Sequence, residues 1–133
     1  MKIVLDNRII LNYIKYKDKY SKKLVYLIYK KKIIPIISEK FITNLLELFN
    51  QGFISTNKSQ INDFLYLYVQ RSILIDSKSN IKGKTSKDNE IYLNLAVDGK
   101  AQFIVTNRLK DFDKADGYKL INVIELKNFV TNI

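Results

Sequence analysis

The sequence predicts an α/β domain, a sandwich built on a mostly parallel sheet of four to five strands. Three observations carry this prediction: short and wholly apolar runs, stretches with helical spacing of apolar residues, and the alternation of the two along the chain. The 133 residues have the length of one domain, and we find no linker and no internal repeat. We therefore predict a single domain over residues 1–133.

Strands and helices alternate in the predicted order β-α-α-β-α-α-β-α-β-(short helix)-β-α. Apolar runs too short for helices predict strands at residues 3–5, 33–37, 73–75, 103–106 and 119–124. Apolar residues at helical spacing predict helices at residues 9–16, 20–31, 38–50, 61–69, 86–99 and 125–131. The polar and basic stretch 77–87 is the one predicted long loop.

Single residues punctuate this pattern. Pro35 inside the second strand predicts an edge or irregular strand, because proline cannot donate to a sheet. Ser38 is a typical N-cap, and Gly52 and Gly99 are expected to end the helices before them. Thr56 or Asn57 is expected to cap the fourth helix.

The composition narrows the possible chemistry. The chain has no cysteine and no histidine, which excludes disulfides, thiol nucleophiles, Ser-His-Asp catalysis and most transition-metal ligation. Carboxylates with a hard, oxygen-seeking cation are the chemistry that remains for an enzyme.

The charge balance predicts an anionic partner. The chain carries 23 Lys and Arg against 13 Asp and Glu, a formal net charge of +10. Lysines cluster at 15–32 and again at 78–87, as on a surface that follows a phosphate backbone. Solvated helix faces in a lysine-rich chain would give the same pattern.

The apolar runs are too short to cross a membrane. The longest lie near residues 33–37, whereas a span needs about 20 apolar residues. Asp6 and Arg8 interrupt the N-terminus, so it has no signal-peptide pattern. We expect a cytoplasmic protein without membrane contact.

Acidic and amide side chains follow the predicted strands. The carboxyl ends of parallel strands meet at one edge of a sheet, where functional groups collect. The candidates at this edge are Asp6, Glu47 or Asn44, Asp88, Asn89, Glu90, Thr106, Asn107 and Asp111. Several carboxylates in one cleft repel each other unless a cation joins them, and a divalent metal would also activate water for phosphodiester hydrolysis. The alternatives are ordinary: first-turn acids for residues 88–90, a turn residue for Asp111, and a solvated helix face for Glu47.

Several of these segments resemble a known family. Residues 1–7, 36–40, 87–96 and 101–107, together with 110–112, are similar in order and spacing to the PIN-domain family. The likeness is greatest to toxin components of bacterial toxin–antitoxin systems, the VapC-like proteins, and covers nearly the whole chain. It implies a three-layer α/β/α sandwich and a ribonuclease dependent on Mg²⁺ or Mn²⁺. It also implies an RNA substrate, a cognate antitoxin and a homodimer.

The resemblance assigns the family's acids unevenly. Asp6 matches the first acid, and Asp111, which Phe112 follows, matches the Asp of the family's Asp-Phe variant. The second acid falls on Asn44, with Glu47 one turn further on. The third falls on Asn89, flanked by Asp88 and Glu90.

Two arginines also depart from the family pattern. Arg108 occupies a position where relatives often have Asp or Asn, and Asn7-Arg8 replaces the usual Thr-Asn. At the second and third acid positions, Asn44 and Asn89 each offer a neutral amide oxygen and no charge. The exchange of two acids for amides weakens divalent-metal binding.

Three hypotheses follow. The first is a metal-dependent endoribonuclease toxin with Asp6, Asp88, Glu90 and Asp111 as metal ligands and Glu47 as a further catalytic candidate. The second is a non-catalytic PIN-like module that binds RNA or a protein partner. The third is a structure-specific DNA or flap nuclease of the same broad fold.

Overall fold

Five parallel strands form one sheet in the part of the chain that the computed structural model describes, residues 1–51 and 58–133. They are β1 (Lys2–Leu5), β2 (Ile34–Ile37), β3 (Ile73–Leu74), β4 (Phe103–Val105) and β5 (Asn122–Ile124). Their order across the sheet is β3-β2-β1-β4-β5, and every pairing is parallel. The predicted parallel sheet is therefore confirmed, and β1 lies at its centre.

Helices flank this sheet and complete the predicted three-layer α/β/α sandwich. They are α1 (Asn7–Tyr16), α2 (Lys19–Tyr29), α3 (Glu39–Asn50), α4 (Lys58–Gln70), α5 (Glu90–Gly99) and α6 (Leu126–Thr131). Short 3₁₀ segments cover Lys87–Asn89, Leu109–Phe112 and Tyr118–Leu120. Helix α5 packs on the middle of the sheet, against β1, β2 and β4. Among the described residues, no helix is long and apolar enough to cross a membrane.

The central strand is buried on both faces, as its sequence predicts. Ile3, Val4 and Leu5 are at most 2% exposed. Three consecutive apolar side chains point alternately to the two faces, so each face needs a covering layer. This arrangement places the end of β1, and the aspartate that follows it, in the middle of the molecule.

Of the two alternatives that Pro35 predicts, the edge strand is wrong. Strand β2 lies inside the sheet, between β3 and β1, and Pro35 pairs in register with Ile3. The Ile34 N–H donates to the Met1 carbonyl on the β1 side, so the next residue turns its nitrogen toward β3. Strand β3 has only two residues, paired with Ile36 and Ile37, and does not need a donor at Pro35.

Gly99 ends its helix as predicted, and it also has a packing function that the sequence did not show. It is the last residue of α5, and the left-handed backbone that ends the helix belongs to Lys100, at φ 55°. A Cβ on Gly99 would lie 2.5 Å from Cγ2 of Ile36. Glycine is therefore required for the close packing of α5 on β2.

Other boundaries differ by a few residues. Helix α1 begins at Asn7 rather than residue 9, and β5 begins at Asn122 because Tyr118–Leu120 forms a 3₁₀ turn. Ser38 caps α3 as predicted, with its Oγ accepting from the Phe41 N–H at 3.1 Å. The predictions for Gly52, Thr56 and Asn57 lie outside the described residues.

Candidate functional site at the carboxyl edge of the sheet

Asp6 ends β1 and begins α1. Its backbone N–H donates to the Val105 carbonyl of β4 at 3.0 Å. Its side chain, 1% exposed, caps α1 by accepting from the Arg8 backbone N–H at 2.9 Å. The sequence predicts Asp6 at this edge, and the structure confirms that position and adds the cap.

Arg8 binds the carboxylate of Asp6 in a forked arrangement. Its Nε donates to the two oxygens at 2.9 and 3.1 Å, and its Nη2 donates to Oδ2 at 2.6 Å. The same Nη2 donates to Oδ1 of Asn89 at 2.8 Å, and Nη1 lies 3.9 Å from Oδ2 of Asp111. The guanidinium thus lies between three segments that are distant in sequence.

Thr106, directly after β4, completes the surroundings of Asp6. Its hydroxyl, fully buried, donates to Oδ2 of Asp6 at 2.7 Å. Oγ1 of Thr106 in turn accepts from the Arg108 backbone N–H at 3.0 Å. Both oxygens of Asp6 are therefore engaged by groups of this chain.

Asn89 joins Arg8 to Asp111. It is 3% exposed, and its Nδ2 donates to Ser86 Oγ at 2.5 Å and to Oδ2 of Asp111 at 3.4 Å. We call Asp6, Arg8, Asn89, Thr106 and Asp111 together the Arg8 centre.

Asn44, onto which the family's second acid falls, makes its contact elsewhere. Its Oδ1 accepts from Nδ2 of Asn7 at 2.8 Å, which links α1 to α3. The Asn7 backbone N–H donates to the Tyr92 hydroxyl at 3.2 Å. These bonds fix the start of α1 against α3 and α5.

Arg108 balances the second carboxylate of the Arg8 centre, so its charges are neutralised within the protein. Arg108 Nε, like Arg8 Nη1, lies 3.9 Å from Oδ2 of Asp111, so two guanidinium groups face two carboxylates. Partial burial opposes the charge on Arg8, but its hydrogen bonds with and attraction to Asp6 outweigh this and raise its pKa. Arg8 therefore stays cationic wherever the protein is folded.

Three of the predicted acids lie in a different groove. Glu47, Asp88 and Glu90 line an open groove of about 1300 Å³ between α3, residues 74–82 and the start of α5. We call it the Asp88 groove. Glu90 accepts there from the Gly83 backbone N–H at 3.0 Å, while Asp88 and Glu47 are exposed. Of the five predicted site residues, the structure brings only Asp6 and Asp111 to the Arg8 centre.

The Arg8 centre, as the side chains are arranged, does not fit a divalent ion. Mg²⁺ or Mn²⁺ needs several oxygen donors that converge with free lone pairs. The oxygens of Asp6 and Oδ1 of Asn89 all accept from Arg8, whose guanidinium fills the space between them. Within residues 1–51 and 58–133, no three acidic side chains converge as metal ligands.

A basic groove opens beside the Arg8 centre. It has a volume of about 430 Å³ and is lined by Asp6, Arg8, Asn12, Lys15, Asn107 and Arg108, among others. We call it the Arg108 groove. Of the charged side chains named, three are cationic, and the one carboxylate, Asp6, is paired with Arg8. The groove therefore favours an anionic ligand.

Sequence reasoning missed the contribution of Arg8 to the site. The signal was an arginine two residues after a buried aspartate at a strand-to-helix junction. An N-cap side chain folds back over the first helical turn, which brings it to residue i+2. Thr106 was placed at the correct edge, but not as a donor to Asp6.

Burial raises the pKa of Tyr68 and Tyr92 above the range of free tyrosine, and for Tyr92 the nearby charge of Asp6 adds to this effect. The folded protein therefore holds two protons that the unfolded chain releases above about pH 10, so stability should fall as pH rises past that value. In an alkaline titration followed at the phenolate absorbance, these two tyrosines should ionise only as the protein unfolds. Tyr92→Phe should leave only one tyrosine whose ionisation is delayed until unfolding. Ionisation of every tyrosine in a still-folded protein would contradict the expectation.

The fold and site define a three-layer α/β domain with a polar centre at the carboxyl edge of a parallel sheet. A family profile described as PIN domain matches residues 2–109. The chain therefore belongs to the PIN-domain family, as the resemblance indicated. No curated protein matches the sequence.

One solved structure is similar to this protein over nearly the whole length of both chains. It is the crystal structure of VapBC2 from Rickettsia felis, bound to a DNA fragment from their promoter. The TM-score is 0.64 at 18% sequence identity, and the match covers 94% of this chain and 98% of the other. This likeness confirms the fold.

Proposed function

We propose that this protein binds RNA and is the toxin-type component of a pair with an antitoxin protein. The observation that carries the proposal is the Arg108 groove, which Arg8, Lys15 and Arg108 line together with Asp6, whose carboxylate Arg8 already neutralises. The net charge of +10 and membership of the PIN-domain family support it. In this proposal, the groove holds the phosphate backbone of single-stranded RNA.

Removing two cations from the groove tests this binding. Lys15→Ala/Arg108→Ala should weaken binding of a single-stranded RNA and lower the slope of log affinity against log salt by about 1.4, or about 0.7 for each lost phosphate contact. Fluorescence anisotropy over a salt series measures both. Lys22→Ala/Lys23→Ala removes the same charge from the exposed face of α2 and is the matched control. Equal losses in the two variants would mean that RNA binds through overall charge and not through this groove.

The second candidate is the metal-dependent endoribonuclease expected from the sequence. The observation in its favour is that Asp6 and Asp111 lie at the same edge of the sheet and are linked through Arg8 and Asn89. To distinguish cleavage of RNA from binding alone, the RNA is incubated with Mg²⁺, with Mn²⁺ or with a chelator. Each incubation is made with wild type, Asp6→Asn and Glu47→Gln. Metal-dependent cleavage lost in Asp6→Asn but kept in Glu47→Gln would support the endoribonuclease. RNA binding without cleavage would support a non-catalytic function.

Partners follow from the same proposal. We expect a cognate antitoxin and a homodimer, acting in the cytoplasm where RNA is available. Exposed apolar side chains on α4 and the edge strand β3 support a protein contact: Tyr66, Val69, Ile73 and Leu74. Light scattering of the purified protein, alone and with the antitoxin, would measure both assemblies.

A further inference from the structure

We propose that Arg8 is the resident cation of this site. Its guanidinium occupies the position between Asp6, Asn89 and Asp111 in which a divalent ion would be bound, and so excludes the metal. The inference does not depend on RNA binding, because it concerns only what neutralises the acidic groups.

The hydrogen bonds of Arg8 carry the argument. Three bonds of 2.6 to 3.1 Å join its side chain to both oxygens of Asp6, and a fourth of 2.8 Å reaches Oδ1 of Asn89. A guanidinium matches a carboxylate in this forked geometry and is always charged. A metal ion could reach the same oxygens only if Arg8 left them.

The residues around Arg8 suit an arginine better than a metal. The side chain that the 3₁₀ segment contributes is a neutral amide, Asn89. Its oxygen accepts a hydrogen bond from Arg8, and its nitrogen donates one to Asp111. A carboxylate here could not donate, and it would repel Asp111. A neutral Asn89 and a cationic Arg8 therefore suit each other in one charge balance with Asp6 and Asp111.

Mn²⁺ titration of designed variants tests the inference. We expect neither wild type nor Asn89→Asp to bind Mn²⁺ at concentrations up to about 10 mM. This concentration exceeds the dissociation constants of the weakest protein sites for hard divalent ions. Arg8→Ala/Asn89→Asp frees a site with three carboxylates and should bind Mn²⁺ at least about tenfold more tightly than Asn89→Asp. Isothermal titration gives the affinity, and the electron paramagnetic resonance signal of free Mn²⁺ gives an independent count.

Arg108→Ala/Asn89→Asp is the matched control. It removes the same charge, and Arg108 also lies 3.9 Å from Asp111, but Arg8 remains on Asp6. This variant should not gain the binding seen in Arg8→Ala/Asn89→Asp. Equal gains would show a general effect of net charge and would overturn the inference.

Two further results would also overturn it: Mn²⁺ binding by wild type that Asp6→Asn abolishes, or binding by Asn89→Asp as tight as by Arg8→Ala/Asn89→Asp. If Arg8→Ala/Asn89→Asp does not fold, Arg8→Gln/Asn89→Asp keeps a hydrogen-bond donor near Asp6 and takes its place. Absence of binding in whichever of these two variants folds would show that Arg8 is not what excludes the metal.

Discussion

Replacing Asp6 by alanine is expected to lower the free energy of unfolding by about 3 kcal/mol. The change removes the cap of α1, the forked bonds to Arg8 and the acceptor of the Thr106 hydroxyl. It also leaves a cation without its partner, although the Arg8 side chain is 28% exposed and regains some water. Urea denaturation of the variant and wild type measures the loss.

Asp111→Ala is the control for this change. Its carboxylate lies 3.9 Å from both arginines and is 36% exposed, so its loss should cost less than about 1 kcal/mol. Asp6→Ala/Arg8→Ala should lose less free energy of unfolding than the two single variants lose together, because it leaves no unpaired charge. An Asp6→Ala variant as stable as Asp111→Ala would contradict the importance assigned to this pair.

Replacing Phe41 by alanine is expected to cost about 4 kcal/mol, because it removes a fully buried ring and leaves a cavity in close-packed surroundings. The ring packs edge-on against Tyr92, with their centroids 6.1 Å apart. Tyr92 in turn accepts from the Asn7 N–H at the start of α1. The cavity would therefore open beside the elements that hold Asp6.

Leu46→Ala on the same helix is the comparison for Phe41→Ala. Leu46 is 44% exposed, so its truncation should cost less than about 1 kcal/mol. Thermal or urea unfolding of both variants separates a core effect from a change in the propensity of α3. Similar losses in the two would mean that Phe41 is not the core residue that its burial indicates.

The sheet could be predicted because its signals are local. An apolar run such as residues 3–5 has no polar face, so it must be covered on both sides, and helices of the right length lie between such runs. Pro35 was misread because the sequence does not show which neighbour its missing N–H faces. The packing function of Gly99 was not predicted because its close contact is with Ile36, a residue distant in sequence.

The candidate site could be predicted only in part. Asp6 was found because an acid directly after a buried strand requires a partner, and Asp111 because it follows the next strand in the sheet. Asp88, Glu90 and Glu47 were expected at the same centre on the grounds of charge and position, but they line the Asp88 groove. Acidic residues close in sequence to a site need not face it.

The sequence by itself determined the order of the strands and helices, the burial of β1 and the position of Asp6 at the carboxyl edge, since each depends on the local pattern of apolar residues. The tertiary structure alone decided which groups meet Asp6. Consecutive residues of a 3₁₀ or α-helical turn point about 100 to 120° apart, so only one of residues 88–90 turns toward the centre, and that residue is Asn89. Arg8 then completes the charge balance because the cap at Asp6 brings its side chain within hydrogen-bond distance of Asp6 and Asn89.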